Sequence, residues 1–227
     1  MDMLIAEDVM LLLLDDATGS VAGSSAVHYT LGGAVLVELA LAERVWIEPS
    51  GSAWRTARVH PVPGAPPLAD PLLQGALGIV AEKPRSAQDL VNRLGKGLRE
   101  HVAERLVNRG LVRRETTNVL GLFPSTRWPA QDARHEQELR GTLELVLARG
   151  AVPDARTGAV VALLSAADQA HRVLGYPGIA PRDVKARAKV IAEGDWAAKA
   201  VKDAVAAMNA AVIGAIVATT VVTGSSS

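Results

Sequence analysis

Residues 4–14 read Leu-Ile-Ala-Glu-Asp-Val-Met-Leu-Leu-Leu-Leu, an apolar run broken only by Glu7 and Asp8. The run is too short to cross a bilayer, and Asp15-Asp16-Ala-Thr-Gly19 closes it with turn chemistry. A helix that is apolar on nearly every side has to be wrapped by other elements, so this one is read as a buried core helix. Glu7 and Asp8 are expected in capping and solvated roles at its ends, not as an acid–base pair. Residues 28–42 continue the pattern, with Leu31, Val35, Leu39 and Leu41 expected along one helical face. Val45-Trp46-Ile47 gives a short strand signal whose expected antiparallel partner is Arg55–Val59, and the proline-rich run from Pro61 to Pro67 is read as a loop.

Helices are expected again at 70–82, 86–94 and 98–108, the last with Leu98, Val102 and Leu106 at four-residue spacing. Ser86 followed by Asp89 resembles a capping pattern, and Arg109-Gly110 supplies a helix stop. Two apolar runs, Leu111-Val112 and Val119-Leu120-Gly-Leu122-Phe123, then flank a polar stretch, which predicts a hairpin turning at Thr117-Asn118. The second run is too apolar to stand as a lone edge. Leu111, Val119, Leu120, Leu122 and Phe123 are therefore expected to bury against a second copy of the chain. Further helices are expected at 134–149, 159–174 and 183–191. Residues 204–222 carry no charge and are long enough to span a bilayer, yet they are mainly Ala with Asn209 and Gly214. They are read as a central buried helix, with a membrane span and a docking tail as alternatives.

Of the 227 residues, 49% are hydrophobic, 21% charged and only 3% aromatic, so the core is built from Leu, Val, Ile and Ala in closely packed helices. The absence of cysteine excludes disulfides, thiolate zinc sites, iron–sulfur clusters and a cysteine nucleophile. His28, His60, His101, His135 and His171 stand singly, and Leu31-Gly-Gly-Ala34 lacks the glycine spacing of a dinucleotide loop. No metal, cofactor or catalytic set is expected, and the chain is read as a binding protein, not an enzyme. The acidic first residues are unlike an export signal, so a cytoplasmic location is expected.

Net charge is zero but unevenly spread: residues 1–50 hold eight acids and one base, Arg44, which leaves the remainder basic. The densest basic stretch runs from Arg85 to Arg114. Within it Arg93, Lys96 and Arg99 recur every three residues and would share one helical face, while Gly95 and Gly97 would let backbone N–H groups approach a phosphate. A second reading takes residues 98–128 as a winged helix, with Arg99, Arg105, Arg109, Arg113 and Arg114 on nucleic-acid phosphates. The stretch lacks outward Asn or Gln beside those arginines, and the acidic first fifty residues oppose DNA, so nucleic acid ranks below an anionic surface. A scaffold that makes only protein contacts is the third.

Four collinear stretches carry a family resemblance: Met3–Asp16, Leu31–Leu41, Arg105–Glu115 and Val160–Asp168. Together they resemble the Golgi phosphoprotein 3 family. The resemblance implies a mainly α single domain over residues 3–222, with helices around a central hydrophobic one, a projecting β-hairpin used in self-association, and a flexible tail at 223–227. It implies a peripheral membrane adaptor on the cytoplasmic face of a membrane, binding phosphatidylinositol 4-phosphate and the tails of membrane proteins. The family's lipid pocket uses a Trp and three Arg. Here the Trp position falls at Gly23 and the first Arg at Gly32, while the other two fall at Lys96 and Arg99. Lys96 and Arg99 by this resemblance, and Arg93 by its three-residue spacing from Lys96, are the candidate head-group residues.

Overall fold

The computed structural model describes residues 2–23, 26–48, 57–119, 123–176, 178–193 and 205–214, the side chains of 117–119 and 123–125 excepted. It is mostly helical. The core forms around α1 (Ile5–Leu13), every residue of which is buried, including both carboxylates. Against it pack α2 (Val27–Leu41) and, from later in the chain, α7 (Ala155–Ala166), whose residues from Thr157 to Leu164 are all enclosed. Between them come β1 (Val45–Glu48), β2 (Arg58–Pro61), α3 (Pro71–Ala81), β3 (Arg85–Ser86), α4 (Ala87–Gly95) and α5 (Leu98–Asn108). The hairpin β4 (Glu115–Val119) and β5 (Phe123–Arg127) follows, and α6 (Arg134–Leu147) leads back to the core. After α7 come α8 (Ala170–Val173), α9 (Pro181–Ala192) and a helix at 205–214, here α10.

Local chemistry sets these boundaries. The Asp70 carboxylate accepts the Leu72 and Leu73 N–H groups, with Pro71 in the first turn, so α3 starts there. The Ser86 hydroxyl accepts the Asp89 N–H and starts α4, and Asp154 does the same for α7 through Thr157. Gly110, at φ +73°, ends the run of α5 as its sequence position implies. β1, β2 and β3 form an antiparallel sheet in that order, with Val45 opposite Pro61 and Val59 opposite Arg85. Pro61 is therefore the last strand residue, not the first of the loop. Arg55 and Thr56 lie outside the described residues.

Three expectations need correction. The hairpin strands pair Glu115 with Arg127 and Val119 with Phe123, so Thr117 and Asn118 lie within β4 and not at its turn. Leu111 precedes the hairpin and packs on the core, and Val112 is buried in a lone bridge to Ala130. Both anchor the base of the hairpin. Residues 159–174 are two helices: α7 ends at Ala166, and Asp168 at φ +54° turns the chain before α8. Finally, residues 205–214 are not the central helix. They bury Val205, Met208, Ala211 and Val212 and leave Ile213 49% exposed, which is a one-sided surface helix. The central positions belong to α1, α2 and α7. Residues 215–222 lie outside the described residues, and among the described residues no helix is long and apolar enough to cross a membrane.

α2 and α4 cross in a close contact that glycine permits. A Cβ on Gly32 would lie 2.2 Å from the Val91 carbonyl oxygen, and one on Gly95 would lie 2.0 Å from the His28 carbonyl oxygen. Either methyl forces the helices apart. Gly95→Ala is expected to cost about 1–3 kcal/mol, the usual range for overpacking, and to lower Tm by several degrees in thermal melting. Gly75→Ala, where the added carbon meets nothing within 4 Å, is expected to leave Tm unchanged or slightly raised.

Candidate functional site

The basic stretch is largely neutralised from within the fold. Arg85 is buried and pairs with Glu82 at 2.7 Å and Asp89 at 3.2 Å. Arg113 meets Glu115 and Arg114 meets Glu104, both at 2.7 Å. Arg105 reaches Glu7 at 3.1 Å and Asp70 at 2.7 Å, and Arg109 reaches Glu7 at 2.8 Å. Four of the five arginines expected on nucleic-acid phosphates are thus committed to carboxylates. A helix followed by a two-stranded wing is present, but the charge that would make it a phosphate reader is committed to carboxylates, at the buried Glu7 for Arg105 and Arg109 and at the surface for Arg113 and Arg114.

Glu7 and Asp8 are correspondingly not solvated. They are 0% and 2% exposed. Asp8 accepts from Arg156 at 2.7 Å and pairs with His135 at 2.8 Å. Arg156 also reaches Glu38 at 3.3 Å and donates to the Met3 carbonyl. The exposed end of α1 is closed by the same groups, since Glu7 accepts the Leu4 N–H and Glu38 accepts the Ile5 N–H. Burial pushes the Glu38 carboxyl above the ordinary glutamate range, and the Ile5 N–H and Arg156 pull against that shift. The cluster is saturated with internal partners, which suits holding helices together.

What remains of the basic surface gathers where α4 gives way to α5. α4 stops at Gly95; Lys96 is extended and Gly97, at φ +72°, turns the chain into α5 without a side-chain cap. Arg93, Lys96 and Arg99 therefore do not share one helical face. Arg93 pairs with Asp89 at 2.9 Å, and Lys96 is exposed with no ion pair among the described residues. Both line a cleft of about 350 Å³ between α3 and the α4–α5 junction, together with His101 and apolar side chains from α2 and α3. Arg99 turns the other way. Its guanidinium sits 5.1 Å from the centre of the Trp128 ring, itself buried. Gly95, expected beside a phosphate, is instead enclosed against α2.

The two glycines at the family's pocket positions leave no open pocket. A Cβ on Gly23 would lie 2.9 Å from the Gln169 side-chain amide, and Gly32 is sealed against Val91. Of the hairpin residues, Val119 and Phe123 face each other across the last described backbone pair, and Leu120 and Leu122 lie outside the described residues. Sequence reasoning missed Trp128 as the neighbour of Arg99, because the two lie 29 residues apart and no local pattern joins them. It also missed the cleft-lining residues of α3, whose packing periodicity alone marks a core face.

The family model described as Golgi phosphoprotein 3 (GPP34) matches residues 5–208, most of the chain. No curated protein matches it by sequence.

Glu7 and Glu104 offer a direct contrast between enclosed and exposed pairing. Glu7→Ala leaves Arg109 and part of Arg105 facing a hole and is expected to cost about 3–5 kcal/mol in urea denaturation. Glu104→Ala, which removes the exposed partner of Arg114, is expected to cost less than about 1 kcal/mol.

Proposed function

The chain belongs to the Golgi phosphoprotein 3 family, and from that premise we propose that it is a non-enzymatic, peripheral membrane module that binds anionic phospholipid head groups through the α4–α5 junction. The observation that carries this reading is Lys96. In a stretch whose arginines are mostly paired with carboxylates of the fold, it is exposed, without an ion pair among the described residues, and lines the same cleft as Arg93. The family resemblance supplies phosphatidylinositol 4-phosphate as the lipid, the cytoplasmic face of a membrane as the location and membrane-protein tails as further partners. With glycine at positions 23 and 32, and a lysine where a planar guanidinium would give bidentate contact, preference for the 4-phosphate over other anionic lipids is expected to be weak.

Self-association through the hairpin belongs to the same proposal. Glu115 and Arg127 face each other at its base, so a short Gly-Ser turn can replace residues 116–126. That deletion is expected to shift the mass in light scattering toward monomer. An intact protein already monomeric at roughly tens of micromolar defeats the idea.

The lipid reading is tested by vesicle co-sedimentation at two salt concentrations, with duplex DNA as the competing anion. Each basic side chain near an anionic membrane contributes about 1 kcal/mol. Lys96→Glu with Arg99→Glu removes two such contributions and adds repulsion, so vesicle binding is expected to fall on the order of a hundredfold, with thermal melting to show that the variant is folded. Equal binding by the two folded proteins, or salt-sensitive binding to DNA alone, refutes it.

A further inference from the structure

The cleft beside Lys96 is more apolar than a phosphate alone requires. Val35, Ala76, Leu94 and Leu98 are buried and form its floor, and the half-buried Leu72 and Ile79 supply its sides. The exposed lining residues include Arg93, Lys96 and His101, and among the described residues no carboxylate lines it. Asp89 answers Arg93 from outside, at 2.9 Å. The arrangement is a small apolar trough whose mouth carries positive charge. At about 350 Å³ it lies at the low end of ligand-pocket sizes, which suits one unbranched chain and not two.

We infer that this cleft takes a single acyl chain bearing an anionic head, the chain against α3 and the head beside Lys96 and Arg93. The inference rests on the lipid-surface reading for the source of the chain, and goes beyond it by placing the hydrocarbon inside the protein. An inorganic phosphate would satisfy the mouth and leave the floor wet. An uncharged chain would fill the floor and leave the mouth unpaired. A cationic amphiphile would meet Lys96 at the mouth. Only the combination matches both parts of the lining.

Gly75 allows a test that separates occupancy from folding. It lies on the exposed side of α3, lines the cleft, and a Cβ built on it meets nothing within 4 Å. A leucine there fills the trough, and leucine is a better helix former than glycine. The probes are octyl, decyl and dodecyl phosphate, each below its micelle concentration, titrated calorimetrically into the full chain. Burying a methylene is worth up to about fourfold in affinity, so dodecyl phosphate is expected to bind at least tenfold more tightly than octyl phosphate. Gly75→Leu and Gly75→Glu are each expected to weaken dodecyl phosphate at least tenfold without lowering Tm, and dodecyltrimethylammonium is expected not to bind. Failure of the wild type to bind dodecyl phosphate, affinity independent of chain length, or equal binding by Gly75→Leu overturns the inference. Vesicle co-sedimentation, run beside it, reads the surface proposal separately. Vesicles bound through Lys96 and Arg99 without dodecyl phosphate binding overturn the cleft and leave the surface. Chain-length-dependent binding of dodecyl phosphate by a protein that ignores vesicles supports the cleft, as a site for a soluble amphiphile, and overturns the surface reading.

Discussion

Glu7 and Asp8 sit in the first turn of α1, enclosed, and answer to Arg105 and Arg109 at one side and to His135 and Arg156 at the other. The apolar residues of α1 give it no preferred rotation, because every face of it is buried. Two adjacent carboxylates change that. Turning α1 by a fraction of a turn would strand a charge away from its partner inside the protein, where an unpaired ion costs several kcal/mol. Through Asp70 and Glu38 two of these arginines also fix the start of α3 and the last turn of α2. The order of helices around α1 is thus specified by charge, while the favourable energy of assembling them comes from the leucine, valine and alanine surfaces they bury.

That arrangement helps to explain why a chain with a dense basic segment leaves so little of that charge unpaired. The acidic first fifty residues and the basic middle meet inside the fold, so the charge polarity seen along the sequence largely cancels in space. Arg105 and Arg109 belong to the interior. Lys96 escapes because it occupies the two-residue link between α4 and α5, beyond the reach of α1's carboxylates, where the chain is extended and then turned by a left-handed glycine.

Much of the fold was legible because its signals are local. The α5 limits, the Ser86 cap and the glycine stop at 110 follow from residues a turn apart, and the buried reading of 4–14 needed only its composition. The misreadings have one cause in common, which is taking apolar runs at face value. Leu111 and Val112 are apolar because they anchor the hairpin's base, while the strands begin at the polar Glu115-Thr116. A projecting hairpin has no core face to impose alternation, so hydrophobic pattern cannot fix its register. Residues 205–214 are uncharged because alanine tolerates either side of a surface helix. The carboxylate cluster was hidden for the opposite reason: the basic partners of Glu7 and Asp8 lie 98 to 148 residues from them, and no local pattern joins them.

The site was less legible than the fold because backbone packing decides it. At position 32 the absence of a side chain is what lets α2 and α4 touch, and an arginine there would have to push Val91 and Gly95 away. Close helix contact and a guanidinium at that position are alternatives, and this chain has taken the first. The same contact ends α4 at Gly95, which sends Lys96 toward the α3 cleft and leaves Arg99 to lean over Trp128. Two cations three residues apart are thereby separated in direction, so they cannot grip one phosphate together as a fork would. Attraction at such a surface is that of separate point charges. It acts over a Debye length of roughly 8 Å at physiological salt and discriminates poorly between anionic head groups. Whatever selectivity the chain possesses must come from shape, and the concave surface adjoining Lys96 is the apolar cleft against α3.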